Sequence, residues 1–166
     1  MRLPSRRAIL TGLLTCLVLI AGYTTLLSND ETQILIENER ESSYQVTVFQ
    51  TTQESAEELR FDVTTRAGRQ RLVEMEELRA DANYTNVTLH TQVRSDRVPT
   101  VSDGNSTKFV EDWNQSRMTV YVVETYQNEL VDIHTMRCGR NMALTFTTAP
   151  DGDFRTTSRC VQDVHG

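Results

Sequence analysis

Histidines, cysteines and paired carboxylates are the side chains through which this chain could do chemistry, and their spacing decides how much. The three histidines are His90, His134 and His165, and none has a second imidazole at the HxxH or HxxxH spacing that places two ligands together on a helix. His165 is the penultimate residue, a position where chains are usually poorly ordered. Asp132 and His134 fall on one face of any strand that carries them. A zinc site assembled across strands would use such a pair, but alternating polar strands produce it without any metal. Asp151-Gly152-Asp153 opens like a calcium loop yet lacks the later oxygen ligands and the closing bidentate carboxylate; after Pro150 it reads as a turn. Glu76-Glu77 and Glu111-Asp112 lie in charge runs that normally form a solvated face. Serine elbows of the GxSxG type, glycine-rich phosphate loops and dinucleotide fingerprints do not occur in the sequence. No catalytic residue, metal ligand or cofactor is therefore assigned, and the chain is not read as an enzyme.

The cysteines carry a clearer expectation. Cys138 and Cys160 end two predicted strands in what reads as an exported segment, where thiols oxidise, so a disulfide between them is expected; two separately buried thiols are the alternative. Cys16 lies inside an apolar run. Leu13-Leu14-Thr15-Cys16 resembles a lipobox only faintly, since Thr precedes the cysteine and the run continues through Ala21, so a thiol buried in a helix is the reading kept.

That apolar run is Ala8–Leu27, twenty residues without a charge, or about 30 Å of helix, enough to cross a hydrocarbon core. Arg2, Arg6 and Arg7 precede it and Asp30 and Glu31 follow it, an asymmetry that puts the N-terminus in the cytoplasm and the remainder outside the cell. The expected organisation is a cytoplasmic stretch 1–7, a transmembrane helix or signal segment 8–28, and an extracytoplasmic domain 29–166. The length of the run and the lack of a small-residue cleavage site favour a retained single-pass anchor in the cell membrane.

With the three leading arginines set apart from the 17 basic residues, 14 remain against all 23 acidic ones, a net charge of −9. Such a surface repels phosphate backbones, and nucleic acid is excluded as a partner. Beyond Thr32 the pattern becomes short runs of Val, Ile, Thr, Tyr and Phe with period-two alternation. The runs are 32–37, 44–50, 59–65, 70–75, 85–93, 117–125, 130–138, 142–148 and 154–160. Ala67-Gly68, Asn128-Glu129, Gly139-Arg140-Asn141 and Pro150-Asp151-Gly152-Asp153 supply turn chemistry between them. Residues 69–82 admit either a helix or a strand 70–75 followed by a loop. Residues 95–108 are expected to be flexible. Trp113 reads as core packing at the edge of the sandwich, with a partner anchor as the alternative. Four Asn-x-Ser/Thr sequons begin at Asn83, Asn86, Asn105 and Asn114, and Asn105, placed in the expected flexible loop, is the preferred candidate for glycosylation.

These features carry three resemblances. Ser5-Arg6-Arg7-Ala8-Ile9-Leu10 is similar to the twin-arginine export motif, which implies folding before export; two arginines anchoring a helix end is the other reading. Sixteen arginines against the single Lys108, on an acidic and Thr-rich chain, resemble exported envelope proteins of halophilic archaea. Ile34-Leu35-Ile36-Glu37-Asn38 followed by Tyr44-Gln45-Val46-Thr47-Val48 is similar to the opening hairpin of immunoglobulin-like or transthyretin-like modules, with Tyr84–Leu89 as a later strand. The expected fold is all-β, an immunoglobulin-like or transthyretin-like antiparallel β-sandwich preceded by one N-terminal transmembrane helix. The expected function is a non-enzymatic envelope binding or structural module that meets the membrane through its helix and takes an envelope protein as partner. An accessory subunit of a membrane complex and a hydrolase with a site assembled around His134 are the alternatives.

Overall fold

The computed structural model describes residues 32–78, 83–100, 102, 104–114, 116–138 and 141–161. Across them the period-two pattern becomes eleven strands: β1 Thr32–Asn38, β2 Gln45–Thr51, β3 Arg60–Thr64, β4 Gln70–Glu74, β5 Thr85–Leu89, β6 Gln92–Pro99, β7 Gly104–Val110, β8 Met118–Glu124, β9 Leu130–Met136, β10 Asn141–Thr148 and β11 Phe154–Val161. They form three sheets, ordered β11-β10-β1-β7, β6-β2-β8-β9 and β4-β3-β5. The second sheet is the middle layer. One of its faces packs on the first sheet through Val46, Val48, Tyr121 and Val123 against Ile34, Ile36, Leu144 and Phe146. Its other face packs on the third sheet through Phe49, Val120 and Val122 against Phe61, Val63, Val73 and Leu89.

Strand β8 shows why. Met118-Thr-Val-Tyr-Val-Val-Glu124 is apolar or small on both faces up to its last residue, and all seven residues are buried. A strand covered on one side alternates apolar and polar residues, whereas one covered on both reads as a continuous apolar run. The expected two-sheet antiparallel sandwich is therefore corrected in two respects. A third sheet covers the middle one, and β1 pairs with β10 in parallel, Ile36 opposite Leu144, while pairing with β7 antiparallel. Parallel neighbours need a long connection, and here that connection carries the whole middle and third sheets.

Three hairpins close in the same way. In the β3–β4, β8–β9 and β10–β11 turns the fourth loop residue donates back to the first, Gly68 to Thr65, Asn128 to Thr125 and Gly152 to Ala149, at 2.8–2.9 Å. The donor has positive φ each time, 75° at Gly68, 61° at Asn128 and 92° at Gly152, a conformation open to glycine and tolerated by asparagine. Residues 139 and 140 of the fourth expected turn lie outside the described residues.

Other expectations change. The run 85–93 breaks at His90-Thr91, because β5 belongs to the third sheet and β6 to the middle one. Residues 95–108 are mainly the end of β6 and the start of β7. Both are edge strands whose outward residues are solvated, so a polar composition that suggested disorder serves a half-exposed strand. Asn105 accordingly sits exposed on β7 opposite Glu37 of β1, not in a loop. The segment after Arg69 takes the strand alternative, β4, and turns at once into a 3-10 turn at Met75–Glu77. The expected cytoplasmic stretch, the transmembrane segment 8–28 with Cys16, and His165 lie outside the described residues. Among the described residues no helix is long and apolar enough to cross a membrane.

Candidate functional site

Four of the residues singled out for chemistry, Asp132, His134, Cys138 and Cys160, lie along one seam, where the edge strand β9 of the middle sheet faces the edge strand β11 of the first. Period two sends Asp132 and His134 of β9 to the same side. Thr156 donates to Asp132 Oδ2, and His134 Nε2 hydrogen-bonds Ser158 Oγ at 2.5 Å. At the end of the seam Cys138 and Cys160 are joined by a disulfide, their Cα atoms 5.3 Å apart. On the opposite side of the sandwich, Lys108 of β7 pairs with Asp96 of β6. Facing sheet edges are thus tied on both sides.

An imidazole on a serine hydroxyl is the beginning of a nucleophilic site. Here the third member is spent, because the Asp132 carboxylate receives the Thr156 hydroxyl instead of orienting the imidazole. Among the described residues no three metal-ligating side chains come together. The seam's geometry is that of a fastener between sheets.

His90 has a separate position, its Nδ1 2.8 Å from Asp62 Oδ2 on the solvent side of the third sheet. Asp151-Gly152-Asp153 forms the β10–β11 turn, with Asp153 N donating to Asp151 Oδ1. Trp113 is buried, donates from Nε1 to Thr119 Oγ1 at 3.2 Å, and carries the Arg94 guanidinium 5.9 Å from its ring. Its surface is therefore used inside the fold.

Two of the buried side chains in the middle sheet, Glu124 and Tyr121, can ionise. Glu124 is 3 % exposed and accepts a hydrogen bond from Val87 N of the third sheet at 3.0 Å. Burial raises its pKa above the ordinary carboxylate value, opposed by the Val87 N–H and the Arg97 charge. Burial also pushes the Tyr121 phenol well above its usual range, and among the described residues its hydroxyl reaches the sulfurs of Met142 and Met136, at 3.2 and 3.8 Å.

A second location presents groups that are not used up. At one end of the sandwich the β1–β2, β8–β9 and β10–β11 connections enclose an open groove of about 410 Å³, with Arg40, Ser42, Tyr44, Tyr126, Gln127 and Phe154 in its lining. The size is that of a small-ligand site. Its floor is a packed aromatic cluster in which Tyr44 meets Phe146 and Phe154 edge-on and the two phenylalanines lie tilted to each other, with centroids 5.3–5.9 Å apart. Arg40 lies over Phe154, 5.0 Å from the ring centre, and its Nη1 donates to Thr147 O and Asp153 O at 3.3 and 3.4 Å. Across the groove Tyr126 is 51 % exposed although its hydroxyl donates to Thr100 O at 3.2 Å. That bond holds a ring in solvent at a fixed place.

Sequence reasoning missed this groove. Its parts come from three turns distant in the chain, and neither Arg40 between two acidic neighbours nor Tyr126 in a hairpin turn carries a motif that would single it out. Residues 3–166 match a family model described as "Halobacterial Ig domain protein". No curated protein matches the chain.

Proposed function

Because the chain belongs to the halobacterial Ig domain protein family, we propose that it is a non-enzymatic envelope binding module that meets its partner with the open groove between Arg40 and Tyr126. The observation that carries this reading is the fixed but exposed Tyr126 ring opposite a guanidinium held on Phe154. Elsewhere the groups with chemical potential are consumed by the fold: His134 and Asp132 in the seam, Trp113 in the core, and the two cysteines in a disulfide. Aromatic rings and arginines that stay rigid and accessible are the usual anchors of recognition.

The finer reading places the module outside the cell membrane. Ala8–Leu27 is its single-pass anchor, Arg2, Arg6 and Arg7 remain in the cytoplasm, and the twin-arginine-like start delivers a folded domain. Asn105, exposed on an edge strand, stays a candidate for glycosylation.

The test is crosslinking of the full chain in its native membranes followed by mass spectrometry of what co-purifies, with the Arg40→Lys, Tyr126→Ala double variant beside it. A partner or envelope polymer captured by the natural chain and lost in the variant is the expected result. Capture that survives the double variant would remove the groove from the reading. A stoichiometric protein captured equally by both would favour an accessory subunit of a membrane complex.

A further inference from the structure

Resting on the reading of the groove as the contact surface, the geometry points to its ligand class: we propose that the groove takes a carboxylated sugar, a hexuronic acid unit of a saccharide chain. The argument starts at Arg40. Both of its side-chain hydrogen bonds leave from Nη1, to the carbonyls of Thr147 and Asp153. Among the described residues the Nε/Nη2 edge has no acceptor and no carboxylate pairs with this guanidinium. That edge is the planar two-donor fork that a carboxylate fits bidentately. The fork is also held in place, by its seat over Phe154 and by the two carbonyls, so little ordering entropy remains to be lost on binding.

The rest of the lining describes what carries the carboxylate. Tyr126 offers half its surface to solvent while its hydroxyl is engaged at Thr100, so what it presents is a ring against which a flat, partly apolar body can lie. Beside the apolar Val131 and Phe154, the lining carries hydroxyl and amide groups from Ser42, Ser43, Thr125 and Gln127, of which the Thr125 oxygen already accepts from Gln127 N and Glu129 N. Such groups both donate and accept, and a ligand bearing many hydroxyls satisfies them. A cationic two-donor fork, a stacking face and a set of two-way hydrogen-bonding groups match a sugar acid. An acidic peptide would meet the fork equally well but would leave the hydroxyl-lined part of the groove without matching partners. Exposed Glu39 and Glu41 flank Arg40 in the chain, which disfavours dense polyanions and leaves room for one carboxylate, the more so in salt that screens them.

The experiment is a calorimetric titration of the detergent-solubilised full chain with three probes: tetragalacturonate, the same oligosaccharide with its carboxylates methyl-esterified, and tetraglutamate. Tetragalacturonate is expected to bind at least about tenfold more tightly than either other probe, the equivalent of roughly 1.4 kcal/mol. Arg40→Lys should remove most of that difference while keeping residual binding, and Tyr126→Ala should weaken the acid and its ester alike. Both positions are at the surface, so unchanged melting temperatures would separate lost binding from lost fold. Equal binding of acid and ester, equal binding of tetraglutamate, or no binding at all would each overturn the proposal. The broader reading is judged separately by crosslinking: if the double variant loses its partner while no saccharide binds, the groove remains the contact surface and only the sugar class falls.

Discussion

His134 Nε2 on β9 and Ser158 Oγ on β11 share a hydrogen bond across the gap between two different sheets, while the neighbouring Asp132 is bonded to Thr156. A triad would need that carboxylate on the imidazole. The pair therefore fastens the sheets, and Ser158→Ala is expected to cost about 1 kcal/mol of stability, the net worth of one hydrogen bond. A broad screen for ester, amide and phosphoester hydrolysis should read the same for Ser158→Ala and the natural chain. Turnover present in the natural protein and abolished by Ser158→Ala at unchanged stability would restore the hydrolase reading.

The disulfide continues the same seam covalently. Cys138 and Cys160 are 22 residues apart and lie at the ends of strands in separate sheets. In the chain-entropy account, closing a loop of that size limits the unfolded state by about 3 kcal/mol. Reduction, or replacement of both cysteines by alanine, should lower the denaturation midpoint accordingly and steepen the denaturant dependence, because the unfolded chain freed of its cross-link exposes more surface. A midpoint indifferent to reductant would mean that the bond contributes nothing to the fold's stability.

How much of this was legible in the sequence depends on whether a residue's role is local. The hairpin turns at Gly68, Asn128 and Gly152 could be read directly, because positive φ is a property of single residues. The alternation at Tyr44–Phe49 likewise gave a strand. The third sheet was not legible: its existence is recorded only in β8, where Val120 and Val122 are as apolar as Tyr121 and Val123, a run that equally suits a strand buried by something else. The parallel pairing of β1 with β10 joins segments more than a hundred residues apart, and no local signal encodes it. Ser95–Lys108 misled for the opposite reason, since an edge strand with one solvated face has the composition of a loop. The groove was beyond reach because Arg40, Tyr126 and Phe154 meet only after the β1–β2 crossover between sheets and the β8–β9 and β10–β11 hairpins are all in place.

Glu124 gives a pH dependence whose sign is fixed. Burial raises its pKa in the folded protein above the unfolded value, so between the two values the folded state binds more protons. Stability contributed by the neutral carboxyl is present in acid and is lost as pH rises through the folded pKa. Glu124→Gln keeps an oxygen to accept from Val87 N and removes the charge. The variant should be more stable than the natural chain at neutral pH by about 1 kcal/mol, the scale of a neutral hydrogen bond gained without burying a charge, and the gain should vanish in acid. Denaturation midpoints followed across pH for both proteins would show converging curves; parallel curves would mean that Glu124 does not titrate between its folded and unfolded values.

Sharing of β8 between two cores predicts how the layers come apart. Phe61 of β3 is fully buried against the middle sheet, as Phe146 of β10 is on its other side. Truncating either to alanine should cost about 3–5 kcal/mol. If the layers were independent, Phe61→Ala would loosen only the third sheet and leave the first sheet's amides protected. Val120 and Val122 alternate with Tyr121 and Val123 along one backbone, however, so any displacement of β8 toward the cavity disturbs both faces. Hydrogen exchange should therefore show the β8 and β10 amides losing protection in step with those of β3 in the Phe61→Ala variant, and melting should remain a single transition. Loss of protection confined to β3, β4 and β5, or a separate early transition, would instead make the third sheet a subunit of stability that the sandwich can lose on its own.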